Sequence, residues 1–233
     1  MKKELLLILI LSMVCNSMNA QTILGIDVSA VQGTINWSQV YATNKTFAFV
    51  KATKGTCYTD GQFYNNMPNG NSAGVKMGAY HFALPEDNNA VAEANYFVSV
   101  AGSYIGAGYL PPVLDLEDPA GTCIINSQPL TSYFTSSALT SWVQTWMTTV
   151  QNATGVTPII YTSASIAGYL NSSLNTYKLW IANPGTSSST PPTNIGNWTT
   201  WAFKQYSWTG AVSGITGAVD LDVFNGTMTA FNN

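Results

Sequence analysis

Apolar runs along the chain alternate, in its first half, with segments of helical periodicity. Most of the runs are almost continuously apolar, which is typical of strands buried on both faces of a parallel sheet. The pattern predicts eight strands, at Leu24–Ser29, Thr46–Thr53, Lys76–Ala83, Pro112–Glu117, Thr157–Thr162, Lys178–Ala182, Thr200–Ser207 and Ala218–Phe224.

Helical patterns lie between the early strands. Asn36 can cap a short helix over Trp37–Tyr41, and Asp87 or Asn88 can cap a longer one in which apolar residues recur up to Ala101. The clearest helical pattern runs from position 139 to 150 and stops near a glycine at 155. Strands that alternate with helices favour a parallel α/β barrel of the TIM type.

The second half departs from this alternation. Asn183–Asn197 is rich in Pro, Ser, Thr and Gly and shows no apolar period, so it predicts a loop. Trp208–Gly217 is likewise a loop or hairpin. We therefore expect an irregular (β/α) barrel in which helices are missing between the last strands and the last three strands are partly antiparallel.

The first 20 residues resemble a signal peptide. Lys2 and Lys3 precede an apolar run, Leu5–Val14, that is too short to span a bilayer, and Ala20 is a small residue at a plausible cleavage point. The alternative is an uncleaved or lipid anchor at Cys15. We expect residues 1–20 to be removed, residues 21–233 to form a single domain without a membrane span, and the protein to reach the extracellular space or a lysosome-like compartment.

Charge is sparse: charged residues make up 8% of the chain, the formal net charge is −3, and every basic residue is a lysine. The sequence thus lacks the basic patch that nucleic-acid binding requires. The single histidine, His81, excludes a zinc site built on two histidines, and a hydrogen-bonded packing role suits it better than catalysis. We expect no metal, no cofactor and a monomer.

Two cysteines remain after signal removal, Cys57 and Cys123. In an oxidising compartment such a pair predicts one disulfide, and both residues follow strands on the same loop face. Two separate buried thiols are the alternative.

Carboxylates mark the ends of three strands. Asp115 and Glu117 close the fourth predicted strand and point to the same face, since residues two apart in a strand do so. Two acids this close in a poorly hydrated pocket cannot both ionise freely, which supplies an acid and a base for glycosidic bond cleavage. Asp27 and Asp220 lie in the first and last strands, which are neighbours in a closed barrel. Capping of a following helix, or hydrogen bonds to the backbone or Lys51, are the structural alternatives.

Aromatic side chains also occur at strand ends. Tyr80, Tyr161 and Tyr206 could form the walls of a sugar-binding groove, and plain core packing is the alternative. For Tyr206 and Trp208 the groove role and core packing are equally open.

At this level of detail the chain resembles glycoside hydrolase family 25, the Chalaropsis-type lysozymes. The matching segments cover nearly the whole chain after the signal, in order; they are Gly25–Ser29, Gln32-Gly33, Ile35–Trp37, Phe47–Gly55, Gly78–Phe82, Leu110–Glu117, Pro158–Thr162, Leu179–Ala182, Gln205–Ser207 and Gly217–Phe224. Asp222 departs from the pattern, because the family more often has Asn there.

The resemblance implies an N-acetylmuramidase that cleaves the β-1,4 bond between N-acetylmuramic acid and N-acetylglucosamine in peptidoglycan. It implies that Glu117 is the general acid and that Asp115 assists the 2-acetamido group of the substrate. Asp27 and Asp220 would hold substrate or adjust the electrostatic field in the site. Gln205 joins the three tyrosines as a candidate substrate contact. A barrel that binds peptidoglycan without cleaving it, and a glycosidase acting on chitin-like polymers, remain alternatives.

Overall fold

The structure is a computed structural model that describes residues 22–118 and 128–232. Within these residues one sheet contains nine strands, β1 Ile23–Val28, β2 Lys45–Lys54, β3 Tyr58–Thr59, β4 Lys76–Phe82, β5 Val113–Leu116, β6 Ile159–Ser163, β7 Lys178–Ala182, β8 Phe203–Gly210 and β9 Val219–Phe224. The order is β1-β9-β8-β7-β6-β5-β4-β2-β3, and β1 also pairs with β2. Eight strands therefore close into a barrel, and the short β3 extends β2. All eight predicted strands are present, with ends shifted by a few residues.

Strand direction is parallel around most of the barrel. Each strand pairs in parallel with the next one in the series β1, β2, β4, β5, β6, β7 and β8. Strand β9 is antiparallel to both of its neighbours, β8 and β1. The expected antiparallel character is thus confined to the last strand. The connection from β8 to β9 is too short for a crossover, so the chain turns back as a hairpin.

Seven α-helices occur in the described part of the chain, α1 Trp37–Ala42, α2 Phe63–Ser72, α3 Ala90–Ala101, α4 Leu130–Tyr133, α5 Ser136–Thr154, α6 Ala164–Tyr169 and α7 Met228–Asn232. The predicted cap of α1 is present, since the Asn36 side chain accepts a hydrogen bond from the amide of Gln39 at 3.2 Å. The long α5 ends at Gly155, whose left-handed φ of 73° suits glycine. The predicted cap of α3 was wrong: Asn89, not Asp87 or Asn88, accepts the bonds from the Val91 and Ala92 amides.

Two apolar cores hold the barrel. The larger one lies between the outer face of the sheet and the helices. The smaller one fills the barrel with aromatic rings, among them Phe49 stacked on Trp180 at 4.6 Å between centroids. Phe231 of α7 packs on Phe47 at 5.6 Å and closes the end at which the parallel strands begin. The polar residues at the carboxyl ends of the parallel strands lie at the opposite, open end of the barrel.

The segment from 183 to 202 contains no helix, as predicted. Lys204 of β8, which lies beneath this segment, is fully buried, and its ammonium group donates to the carbonyl oxygens of Ser187, at 2.7 Å, and Thr190. A buried ammonium needs such acceptors because an unsatisfied charge would be costly. Lys204 thus fixes the loop where an apolar helix would otherwise cover the strand.

Among the described residues, no helix is long and apolar enough to cross a membrane. The predicted signal segment 1–20 and Cys123 lie outside the described residues, so the disulfide with Cys57 stays a prediction. Cys57 itself is exposed just after β2.

Candidate active site

A cavity of about 180 Å³ opens at the end of the barrel where the parallel strands finish. Its lining contains all four predicted acids and three of the four predicted substrate contacts; the full set is Asp27, Lys51, Tyr80, Phe82, Asp115, Glu117, Tyr161, Trp180, Gln205, Trp208 and Asp220. Residues far apart in sequence meet here because strands β1, β5 and β9 all contribute to this rim.

Asp115 and Glu117 form the centre of the cavity. Asp115 is the third residue of β5, and Glu117 directly follows the strand. Burial raises the pKa of Asp115 well above its usual value, and the neighbouring Glu117 raises it further. Burial also raises the pKa of Glu117, although its hydrogen bond with Asp115 and the charge of Lys51 work against the rise. The two carboxyl groups therefore hold a proton at a pH at which free carboxylic acids have lost it.

Lys51 supplies the positive charge beside this pair. Its ammonium group lies 4.5 Å from the centroid of the Phe82 ring and 5.9 Å from that of Tyr80. Burial lowers the pKa of Lys51, and the nearby Asp115 opposes this effect. Among the described residues, Lys51 is the only basic side chain that lines the cavity. It offsets part of the negative charge of Asp115, Asp60 and Glu117, the carboxyl groups near it.

Gln205 connects the aromatic wall to Asp27. Its carbonyl oxygen accepts hydrogen bonds from the Tyr161 hydroxyl, at 2.8 Å, and from Nε1 of Trp208, at 2.7 Å. With the oxygen occupied by two donors, the amide nitrogen must face the other way, and it donates to Oδ2 of Asp27 at 2.8 Å. The orientation of the amide, and with it that of Asp27, is therefore fixed before any substrate binds.

Three carboxyl groups meet where β9 pairs with β1. The antiparallel register places Asp27 opposite Asp220. Asp222 lies two residues further along β9 on the same face and is completely buried. Asp27 is hydrogen-bonded to both of these carboxyl groups. Burial, followed by the charge of Asp27, raises the pKa of Asp220 to about 8.

We infer from the contacts of Asp222 that it holds a proton jointly with Asp27. Oδ1 of Asp222 accepts a hydrogen bond from Nε1 of Trp180 at 2.9 Å, whereas Oδ2 has no N–H or hydroxyl donor among the described residues. A buried oxygen without a donor is costly, and a proton held between two carboxyl groups supplies the missing bond. Burial raises the pKa of both acids. The charge of Asp222 adds to the rise at Asp27, whereas at Asp222 the hydrogen bond with Asp27 works against the rise and the charge of Asp220 adds to it.

Tyr206 is the one predicted substrate contact that does not line the cavity. It lies on the face of β8 that carries Lys204, whose ammonium group is 6.0 Å from its ring. The pairing of β8 with β9 shifts register between Gln205 and Ser207, and after this irregularity Trp208 reaches the cavity instead. The sequence left both a groove role and core packing open for Trp208, because a bulge breaks the alternation that would otherwise assign it to one face of the strand.

His81 lies outside the cavity, behind the barrel wall. It is completely buried; Nε2 contacts Oε2 of Glu93 at 2.8 Å and Nδ1 contacts the Thr53 hydroxyl at 2.7 Å. Its ring also stacks on Trp146 at 5.5 Å. These contacts support the packing role. No group of three or more His, Cys, Asp or Glu side chains within residues 22–118 and 128–232 is placed to hold a metal ion.

The chain is similar in sequence and fold to known glycoside hydrolases. The family model described as Glycosyl hydrolases family 25 matches residues 26–215. Lysozyme M1 of Streptomyces globisporus is 38% identical over 208 residues, which covers 87% of this chain and 67% of that protein. The N,O-diacetylmuramidase of a Chalaropsis species is 31% identical, covering 85% of this chain and 96% of that enzyme. The bacterial lysozyme of Streptomyces coelicolor superposes with a TM-score of 0.80 at 34% identity, covering 91% and 96% of the two chains.

This chain belongs to glycosyl hydrolases family 25. The resemblance inferred from the sequence is confirmed, and so is the TIM-like barrel. As a glycoside hydrolase, a family 25 protein needs one carboxyl group that can give a proton to the leaving oxygen and a second group that stabilises the developing positive charge. The paired acids at the end of β5 offer both in one cavity.

Proposed function

We propose that this family 25 glycoside hydrolase is a secreted N-acetylmuramidase that hydrolyses the β-1,4 bond between N-acetylmuramic acid and N-acetylglucosamine in bacterial peptidoglycan. The relatives named lysozyme and N,O-diacetylmuramidase support this substrate. The observation that carries the proposal is the coupled pair Asp115 and Glu117, which lies in the cavity at the open end of the barrel.

Glu117 acts as the general acid. A catalytic acid must still be protonated at the working pH, and burial raises the pKa of Glu117 in that direction. The carboxyl group lies just after the strand and is less buried than Asp115, so it can reach the oxygen of the glycosidic bond. It donates its proton to this oxygen as the bond to the sugar carbon breaks.

Asp115 assists the 2-acetamido group of the substrate. Its Oδ1 has no N–H or hydroxyl donor among the described residues, so it can accept a hydrogen bond from the acetamido N–H. The acetamido oxygen then attacks the anomeric carbon as the leaving oxygen departs, and Asp115 stabilises the positive charge that develops on the ring so formed. Water later opens this ring. This is the substrate-assisted alternative to a carboxylate nucleophile.

The remaining residues position the substrate. Asp27 and Asp220 face the same cavity, and Tyr80 and Tyr161 offer ring faces to the sugar. Gln205 holds Asp27 in place from the side of the aromatic wall. We keep Tyr206 only as a contact at the outer rim, since it does not reach the cavity itself.

Secretion follows from the predicted signal at residues 1–20, and the protein would work as a monomer outside the cell or in a lysosome-like compartment. Two alternatives stay open. A binding barrel without activity would keep the groove and lose the acid, but Glu117 is present. A glycosidase of chitin-like polymers could use the same acid pair.

The test compares wild type with Glu117→Gln in the turbidity loss of purified peptidoglycan, with the new reducing end identified by mass spectrometry. Asp118→Asn is the matched control because it removes an exposed carboxylate next to the acid, and Asn can still accept the hydrogen bond from the Leu130 amide. We expect N-acetylmuramic acid at the new reducing end from wild type and the control, and none from Glu117→Gln.

Wild-type rates in Glu117→Gln would contradict the assignment of the acid. Sedimentation with peptidoglycan in the absence of cleavage by wild type would favour the binding barrel. Faster cleavage of chitin oligomers than of peptidoglycan would favour the glycosidase that acts on chitin-like polymers.

A further inference from the structure

A second cavity, of about 500 Å³, adjoins the catalytic cavity. It lies between the turn after β1, the end of β2 and the segment that leads from β4 to α3. Lys51 lines both cavities, so the two spaces meet at its side chain. The wider space has the size of an ordinary ligand pocket, about 300 to 1,000 Å³, whereas the catalytic cavity is smaller than that range.

The walls of the second cavity are built before anything binds. The turn after β1 is closed by reciprocal hydrogen bonds between Ser29 and Gln32, and it carries Val31, which is 87% exposed. Asp60 ties this turn to the chain after β3, because its carboxylate accepts the Ala30 amide at 2.9 Å and the Gln62 amide at 3.0 Å. The exposure of Val31 is therefore imposed by a rigid turn, not by a loose loop.

Positive charge is concentrated at this side of the barrel opening. The ammonium group of Lys51 lies 4.5 Å from the centroid of the Phe82 ring, and that of Lys54 lies 5.0 Å from it. Other lysines of the described chain lie elsewhere: three begin strands at the closed end of the barrel, and one is buried under a loop; they are Lys45, Lys76, Lys178 and Lys204. Among the described residues the lining contains two acids: Asp60 is engaged by backbone amides and Asp87 lies exposed at the rim. Glu86, outside the lining, lies close enough to Lys54 for the two charges to interact.

Sugar rings stack on flat aromatic faces, and most such faces are on the other side of the catalytic cavity. Tyr161, Trp180 and Trp208 come from β6, β7 and β8, respectively. The second cavity instead combines aliphatic surface from Val31 and Leu84 with ammonium groups, and among the described residues Tyr58 is the one aromatic side chain in its lining. This combination suits a short peptide with methyl side chains and carboxylates better than it suits another sugar.

The substrate of the proposed reaction carries such a peptide. N-acetylmuramic acid bears a lactyl group at its 3-oxygen, and the peptide stem of peptidoglycan extends from it with alanyl methyl groups and free carboxylates. When this sugar occupies the catalytic cavity, its stem must leave sideways. We propose that the second cavity binds the peptide stem, with Lys54 receiving a stem carboxylate and Val31 and Leu84 packing on its methyl groups. The inference rests on the proposed muramidase function.

The test measures hydrolysis of two soluble substrates, glycan strands that carry stems and the same strands after an amidase has removed the stems. In Lys54→Gln we expect kcat/KM on stem-bearing strands to fall about tenfold, mostly through KM, because a hydrogen bond to a charged group is lost. On stem-free strands the change should stay below about twofold by the same reasoning. Lys54→Arg keeps the charge and should restore most of the loss.

Val31→Ser provides a second variant that removes only apolar contact, and it should lower kcat/KM selectively on stem-bearing strands as well. Equal losses on both substrates would overturn the inference and indicate a sugar subsite. Unchanged kinetics of both variants on both substrates would overturn it too. Failure of the proposed function would look different, since wild type would then cleave neither substrate.

Discussion

Replacing Asp222 by Asn should flatten the dependence of stability on pH. The amide has the shape of the carboxyl group, so its oxygen can still accept the Trp180 hydrogen bond and its nitrogen can donate to Asp27. It cannot ionise. The variant therefore keeps the contacts of the pair and removes only the proton that the two acids share.

The direction follows from the raised pKa values of Asp27 and Asp222. A carboxyl group whose pKa is raised by folding stays protonated in the native state at a pH at which the unfolded chain, with a pKa of about 4, has lost its proton. The native state then binds more protons than the unfolded state. Stability is consequently highest at low pH and is lost as the pH rises toward the pKa of the folded pair.

One retained proton makes the free energy of unfolding fall by about 1.4 kcal/mol per pH unit. A folded pair that keeps its proton up to pH 7 thus makes the wild type lose about 2.7 kcal/mol more than Asp222→Asn between pH 5 and 7. For a chain of this size that corresponds to about 5 to 10 °C in Tm. Thermal unfolding at half-unit pH steps between pH 5 and 7 would measure this difference.

Asp87→Asn, which removes an exposed carboxylate, should leave the wild-type slope unchanged. Parallel stability curves for wild type and Asp222→Asn between pH 5 and 7 would refute the shared proton. They would mean that Asp222 is a permanent anion balanced by Lys45.

Three further outcomes can be measured. Tyr161→Phe removes one of the two donors that orient Gln205. We expect kcat/KM on peptidoglycan to fall about fivefold to tenfold, as for a lost hydrogen bond, while Tm changes little. An unchanged rate would show that Trp208 alone orients the amide. Glu93→Ala leaves His81 and the Leu84 amide without their buried partner, so urea unfolding should show a loss of about 3 kcal/mol or more; a loss below 1 kcal/mol would contradict this. Asn89→Ala should cost about 1 kcal/mol in the same assay because α3 loses its cap, whereas Asp87→Ala should cost almost nothing.

The strands could be predicted because each one is a short apolar run buried on both faces. Helix α2 could not be, since its sequence contains Pro68 and several asparagines, which are poor helix formers. Tertiary contacts stabilise it instead. Phe63 and Met67 are completely buried, and the side chain of Asn66 accepts a hydrogen bond from Nε1 of Trp37 at 3.2 Å. Such contacts become visible only when the barrel has formed.

The same limit applies to details of the site. Asn89 was missed as the cap of α3 because three candidate caps, Asp87, Asn88 and Asn89, follow one another, and the extended backbone at 89 that suits a cap is seen only in the structure. Trp208 could not be assigned to groove or core from the sequence, because the register shift in β8 reverses the side on which later residues lie. Both details depend on a displacement of one or two positions, which periodicity does not resolve.

Scarcity of charge explains why the acids, in contrast, could be predicted. The chain has eleven acidic residues, and five of them, Asp27, Asp115, Glu117, Asp220 and Asp222, lie in or directly beneath one cavity. In a chain with so few charges, an acid inside an apolar strand has no solvated face to belong to and must have a partner or a function. Seven tryptophans and twelve tyrosines carry no comparable constraint, because the core also uses them. The acids of the candidate catalytic centre can therefore be predicted from the sequence, whereas the aromatic residues that line the groove around them can be identified only from the structure.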